Sequence, residues 1–400
     1  MYNLHLSEEQ LAIRDTIRDF VSQEITPAAI HPDRLEPFDP PLPTEMIGNA
    51  AELGLRTLSI AEESGGASAD TLTCCLVAEE LAAGDVDVAS VLMETAALAG
   101  QVFGRLMNDE QRERFLPAFL EDNSYHLAFA SREPNTDTAL GVNYYRPVSE
   151  AAALETTAAD APNGGWVLNG VKHRIANAPI AKLFIVEAAT GSGTGLLLVP
   201  HDTPGLSVTE VNRDGGWYSG SCGEVTFTDC QVPAENLLDA NGAELGTGGA
   251  GGSPIAQAIN LGVTRAALDA ALDYAKIRIQ GSRPIVEHQA IGDKLAGIAV
   301  SVETARSIVW QAAWASDHPE ARADGSLSNL PQTTIAQVAT AQMLYHAAKD
   351  AAECFGAMGV MRDMPLQRYI HNTRMFLHSG DGSSDAKLRI AEALAGYRQS

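Results

Sequence analysis

The sequence predicts an α+β chain of three successive parts: an N-terminal helical domain over residues 1–125, a middle antiparallel β domain over 126–240 and a C-terminal helical bundle over 241–400. Three observations carry this. Apolar residues recur at helical spacing through the first part, short β-type runs separated by turn clusters fill the second, and long helical patterns return after a glycine-rich connection. A length of 400 residues gives room for two or three domains.

The helical start is explicit. Ser7 stands as cap with Gln10 three positions on, followed by Leu11, Ile13, Ile17, Phe20 and Val21 among acids and arginines. The proline-rich run Pro37 to Pro43 ends that unit, and Glu62-Glu63-Ser64-Gly65-Gly66 precedes a long apolar run from Thr71 to Leu92. Segments Ala96 to Met107 and Glu110 to Leu120 add further helices. Strand-like runs follow at His126–Ala130, Trp166–Leu168, Leu183–Val186, Leu196–Val199, Leu206–Val211 and Glu224–Phe227, divided by turns such as Pro162-Asn163-Gly164-Gly165. No helices intervene, so the expected sheet is antiparallel. Asn241 to Gly252 reads as a mobile connection, after which Ser253-Pro254 restarts helix with serine as cap and proline at the first position. Patterns over Ile255–Arg278, Glu287–Ala315, Thr333–Phe355, Leu366–Arg374 and roughly Ser384–Tyr397 form the bundle.

Composition narrows the function classes. Hydrophobic residues make up 45% and charged residues 20%, the balance of an ordinary globular chain. A formal charge of −24 repels phosphate backbones, so no nucleic-acid partner is expected. No stretch of about 20 uninterrupted apolar residues occurs, and no membrane span is expected. The opening Met1-Tyr2-Asn3-Leu4-His5 lacks a basic start and an apolar core, so the expected location is cytoplasmic. Five cysteines (Cys74, Cys75, Cys222, Cys230 and Cys354) without CxxC spacing give neither a disulfide framework nor a zinc site. His288, His346, His371 and His378 match no metal-ligand spacing. Gly246 to Gly251 fits GxGxxG, yet no strand precedes it and no acid closes a second strand, so it reads as linker.

A set of spaced phrases resembles the acyl-CoA dehydrogenase family of flavoproteins. Leu6 to Gln10 with Arg18-Asp19-Phe20 resembles its opening helix, Glu62 to Gly66 its PEExGG turn, and Glu79-Glu80-Leu81-Ala82 a helix-core phrase. Glu133-Pro134-Asn135-Thr136-Asp137 resembles a shortened TEPxAGSD loop, Leu168 to Lys172 resembles LNGxK, and Phe227 to Leu238 is close to FxDxxVPxxNLLG. Arg278 to Gln289 resembles RxQFGxPLxxxQ and Phe355 to Gly359 resembles FGGxG. These phrases run in order through nearly the whole chain.

The resemblance implies a helical domain, a β-barrel and a four-helix bundle. FAD would lie between the last two, in a homotetramer or dimer whose neighbouring subunits share cofactor sites. Carried over by position, Phe129, Ser131, Arg132 and Thr136 would lie near the flavin, and Arg174 and Ala176 stand where the family has its WxT pair. Arg278 and Gln289 would reach FAD across the subunit interface, with Glu353, Gly356 and Ala357 lining an adenine-side channel. Arg278 suits a pyrophosphate, although it also reads as an ordinary helix C-terminal cation. Trp217 and Tyr218 are candidates to cover one side of the pocket.

The implied reaction removes an α-proton from an acyl-CoA thioester while a hydride leaves the β-carbon, and electrons pass on to an electron-transfer flavoprotein. It needs a carboxylate base and donors for the carbonyl oxygen. Counting from Arg374 without a gap puts Gly380 at the family's glutamate; sliding by one residue puts Asp381 there. The alternative position on the helix that opens the bundle is Gly252, with Ser253 where an arginine is common. Three readings stay open. Asp381 is the base, with a backbone N–H of Gly380 or Asp381 on the thioester oxygen; or the fold runs altered flavin chemistry, as a lyase or monooxygenase; or the chain is a non-catalytic or FAD-holding subunit of a hetero-oligomer with a paralogue. Asp381 also reads as a solvated residue of a Gly-Asp-Gly turn.

Overall fold

The computed structural model describes residues 5–37, 40–134, 154–162, 164–211, 219–239, 245, 253–378 and 382–396. The first domain runs α1 (Glu8–Phe20), short α2 (Thr26–Ala29) and α3 (Pro32–Leu35), α4 (Thr44–Ala51), α5 (Thr71–Gly84), α6 (Val86–Gln101) and α7 (Asp109–Glu121). The expected capping box opens α1: Gln10 N donates to Ser7 Oγ at 3.1 Å, and Ser7 N donates to Gln10 Oε1 at 3.0 Å. The expected single run from Thr71 to Leu92 is instead two helices. Asp85 is extended (φ −148°), and its carboxylate accepts from Asp87 N at 2.9 Å and Val88 N at 3.2 Å. A buried Arg34 fixes that break by donating to Asp85 and Asp87, both at 2.8 Å. The segment from Ala96 to Met107 is not a separate helix; α6 continues through it into a π-turn at Val102–Leu106. Val86–Leu106 is long and apolar enough to cross a bilayer by length and composition, yet 78% of its most apolar window is buried inside the protein. It is a core helix here.

The middle domain holds β1 (His126–Ala130), β2 (Thr157–Asp160), β3 (Trp166–Ala176), β4 (Ala181–Thr190), β5 (Gly193–Pro200), β6 (Leu206–Glu210), β7 (Cys222–Val232) and β8 (Leu237–Leu238). Their order is β6-β7-β3-β2-β4-β5-β8, with β1 also on β4. Pairing is antiparallel except around β4, which β1 and β2 flank in parallel. Alternation divides the sheet's two faces. Ala128, Ala130, Phe184 and Val186 enter the domain's own core, while Leu127, Leu183 and Ile185 pack on Phe103, Phe119 and Leu98 of the first domain.

The last domain contains α8 (Pro254–Ile277), a hairpin of β9 (Ile279–Gln280) and β10 (Arg283–Pro284), α9 (Gln289–Asp317), short α10 (Glu320–Ala323), α11 (Gln332–Cys354), α12 (Leu366–Met375) and α13 (Gly382–Ala395). Ser253 caps α8 with Pro254 in the first turn, as the sequence predicts. The first and last domains share a core in which Ile17, Leu81 and Leu92 meet Ile259, Val263 and Val309.

Charges cross the same boundary. Glu79 and Glu80 of α5 are 4% and 2% exposed. Arg265 of α8 forks onto Glu80 at 2.8 and 2.6 Å, Arg18 of α1 reaches it at 2.7 Å, and Arg306 of α9 reaches Glu79 at 2.8 Å. At the far end of α9, Thr71 donates N–H and hydroxyl to Asp317 at 2.8 and 2.6 Å. Removing one partner of a buried pair strands the other charge. Arg265→Met leaves buried Glu80 only the half-exposed Arg18 as counter-charge and is therefore expected to cost about 3 kcal/mol. Urea unfolding checks this, and a loss under about 1 kcal/mol, the ceiling for a surface pair, would show the fork to be dispensable.

Candidate functional site

Where β1 ends, Ser131, Arg132 and Glu133 turn back along β3. Glu133 and Lys172 both have no side-chain exposure and pair at 2.8 Å. Lys172 Nζ also donates to Ser131 O at 3.1 Å, and Glu133 accepts the amides of Glu155 at 2.7 Å and Thr156 at 2.9 Å. One carboxylate thus ties the exit of β1, the entry to β2 and the middle of β3. Gly170 makes this approach feasible: its φ is +146°, and a Cβ there would meet Thr156 Cα and Oγ1, each at 2.6 Å. Burial pushes the Glu133 carboxyl up, but the Lys172 ammonium and the two amides outweigh it and hold it at about 2.

This clamp presents a rim. His173 N donates to Arg132 O at 2.8 Å, so Arg132 lies beside the next residue, Arg174. A bulge between Lys172 and Ile175 interrupts the β3–β7 register, and Arg174 within it has φ +54°. Such backbone costs about 1–2 kcal/mol for a residue with a Cβ, and bulges re-aim side chains at functional sites. Arg174 and Ala176 are exposed, and Ala176 pairs with Cys222. Burial pushes the Cys222 thiol up to about 12, against the opposing fields of Arg174 and Arg132.

Neighbouring elements lock the rim's far end. Asn177 (φ +61°) donates from Nδ2 to Val91 O at 3.1 Å and Thr95 Oγ1 at 3.3 Å, and its N–H donates to Ser221 O at 2.8 Å. Ser90 donates to Ser219 at 2.7 Å, and Gly220 N donates to Asp87 at 2.7 Å. Glu94, one turn beyond Ser90 on the same helix, is buried as well. Sequence reading missed these ties because the partners of their side chains lie 82 to 133 residues apart.

The expected site residues fall into three sets. Ser131, Arg132, Arg174 and Ala176 share the rim; Phe129, on β1, packs toward the core between sheet and first domain. Arg278, Gln289, Glu353, Gly356 and Ala357 gather at one end of the bundle, where Tyr274 stacks on Phe355 at 4.2 Å and Lys294 of α9 pairs with Glu353. Arg278 is the C-cap of α8, exposed beside the β9–β10 hairpin. Gly356 has φ +59° and open space around its Cβ position, so its glycine serves the end of α11 within this chain. Within the chain the tight packing is at Gly359, whose Cβ would lie 2.2 Å from Ala352 O. Thr136, Gly380 and Asp381 lie outside the described residues, as do Trp217, Tyr218 and Gly252.

Both described clusters carry exposed guanidinium groups on an acidic chain, a donor set that suits an anionic dinucleotide. The descriptions of the acyl-CoA dehydrogenase N-terminal, middle and C-terminal domains match residues 7–123, 147–230 and 254–394. An acyl-CoA dehydrogenase of Bacillus subtilis (strain 168) is 31% identical, covering 93% of this chain and 94% of its own. Butyryl-CoA dehydrogenase from Megasphaera elsdenii superposes with a TM-score of 0.81 at 25% identity, covering 99% and 100%. A chain described as the electron transferring flavoprotein of Acidaminococcus fermentans gives 0.80 at 25%, covering both chains fully. These family and structural matches define a flavin-dependent oxidoreductase acting on CH–CH bonds. The chain belongs to the acyl-CoA dehydrogenase family, whose members bind FAD.

Since the folded Glu133 carboxyl lies below the ordinary value of about 4.3, its stabilising contribution is present above that value. It is lost as the pH falls through about 2. Thermal unfolding across this range is expected to show the acid limb, and Glu133→Gln to flatten it.

Proposed function

We propose that this chain desaturates an acyl-CoA at the α,β bond and passes the electrons to an electron-transfer flavoprotein. The observation that carries the reading is the rim, at which β1, β3 and β7 meet under one buried ion pair. Ser131, Arg132, Arg174 and Ala176 would hold the flavin end of FAD there, and Arg278 and Gln289 its phosphate side. Bound FAD supplies the acceptor for the hydride that leaves the β-carbon. The protein's part is to take the α-proton and to hold the thioester oxygen while enolate charge develops. We assign the proton to the Asp381 carboxylate and the oxygen to a backbone N–H at Gly380 or Asp381.

Oligomerisation belongs to the same proposal. The bundle end exposes Ile277 at 75%, Ile279 at 54% and Val360 at 71%, an apolar border around Arg278 that favours a neighbouring subunit sharing the nucleotide. Whether that neighbour is a second copy or a paralogue separates the main reading from the second, an FAD-holding partner subunit without its own base. The second reading is favoured by glycine at both positions, 252 and 380, where the family places its base. All five cysteines are buried free thiols, which supports a cytoplasmic location.

Anaerobic mixing with a panel of acyl-CoA thioesters tests the reading. Protein purified alone with FAD is expected to bleach, and Asp381→Asn to slow bleaching at least about 100-fold. Unchanged bleaching removes Asp381 from the mechanism. Colourless protein that gains FAD only with a co-expressed paralogue establishes the partner reading.

A further inference from the structure

Five non-glycine residues among those described have positive φ: Ser68, Arg174, Asn177, Asp229 and Ser282. Asn and Asp tolerate that region by local hydrogen bonding, and serine is small. Asn177 is anchored as described above, and Asp229 accepts from Asn169 through its carboxylate and donates to it through its N–H. Arg174 is the one long side chain in the group, sits in a bulge and is exposed. Strain held at such a place points to a use for the side chain. Arg132, two residues past the end of β1, accepts the His173 amide through its carbonyl, so two guanidinium groups on adjoining backbone favour whatever carries negative charge beside them.

We propose that Arg132 and Arg174 set the redox poise of the bound flavin, stabilising the negative charge that FAD acquires on two-electron reduction and so making it a stronger oxidant. This rests on the reading that the rim faces the flavin. Neither residue takes or gives a proton; their contribution is fixed charge. The buried Glu133–Lys172 pair holds the backbone next to both, so the two side chains start from set positions on the rim.

The test is an anaerobic reductive titration of the FAD-loaded protein against a reference dye, with FAD binding measured in both redox states. Arg132→Gln and Arg174→Gln are each expected to weaken the preference for reduced over oxidised FAD about tenfold, which moves the midpoint about 30 mV more negative. Arg132→Lys and Arg174→Lys are expected to keep it. An unmoved midpoint in both glutamine variants overturns the proposal, as does a lysine variant that shifts as far as its glutamine counterpart. Acyl-CoA bleaching with a midpoint indifferent to both arginines leaves the dehydrogenase reading standing and removes this one. A midpoint that follows the charges without acyl-CoA bleaching does the reverse, and protein that takes up no FAD ends both.

Discussion

The ion pair between Glu133 and Lys172 is the constraint from which the rim follows. Both groups are removed from water, so each is tolerable only while the other stays within hydrogen-bonding distance. Glu133 saturates itself with one ammonium and two backbone amides; Lys172 adds a carbonyl. Those partners belong to the exit of β1, the entry to β2 and the middle of β3, and satisfying them together holds the three strands in one relation. Arg132 and Arg174 inherit their positions from it, one residue before Glu133 and two after Lys172. The glycine at 170 is the geometric condition, because any side chain there would push Thr156 off the carboxylate.

Acidic excess is managed by the same logic elsewhere. Glu79, Glu80, Asp85 and Asp87 are buried acids in the first domain, and arginines from four helices neutralise them. Guanidinium suits this because it forks onto carboxylates and remains charged when buried. The two acid pairs have different duties. Glu79 and Glu80 fasten the first domain to the bundle, whereas Asp85 and Asp87 break one helix from the next and hold Gly220 beside the rim.

What was legible in the sequence were features whose cause is local. Ser7 with Gln10 and Ser253 with Pro254 mark helix starts because capping involves residues within one turn. Alternation in the middle segment, turn clusters between its runs and the order of family phrases gave the three-part architecture and the residues of both clusters. The parallel seating of β1 on β4 was not legible, since it depends on how the chain leaves α7 rather than on any strand's own pattern. Nor was the break at Asp85, whose partner Arg34 is 51 residues away. Gly356 turns the chain and Gly359 packs on Ala352, a division of labour that sequence does not show because both read simply as glycine.

Helix α9 has 29 residues, about 43 Å of continuous rod at 1.5 Å per residue. It is pinned near one end by Lys294 to Glu353, along its length by Arg306 to Glu79, and at its last residue by Asp317 to Thr71. A rod fastened at three heights to two different domains behaves as a tie-beam. Any tilt of the first domain is carried along it to the corner that bears Arg278 and Gln289, so the two ends of a bound dinucleotide would feel one mechanical frame.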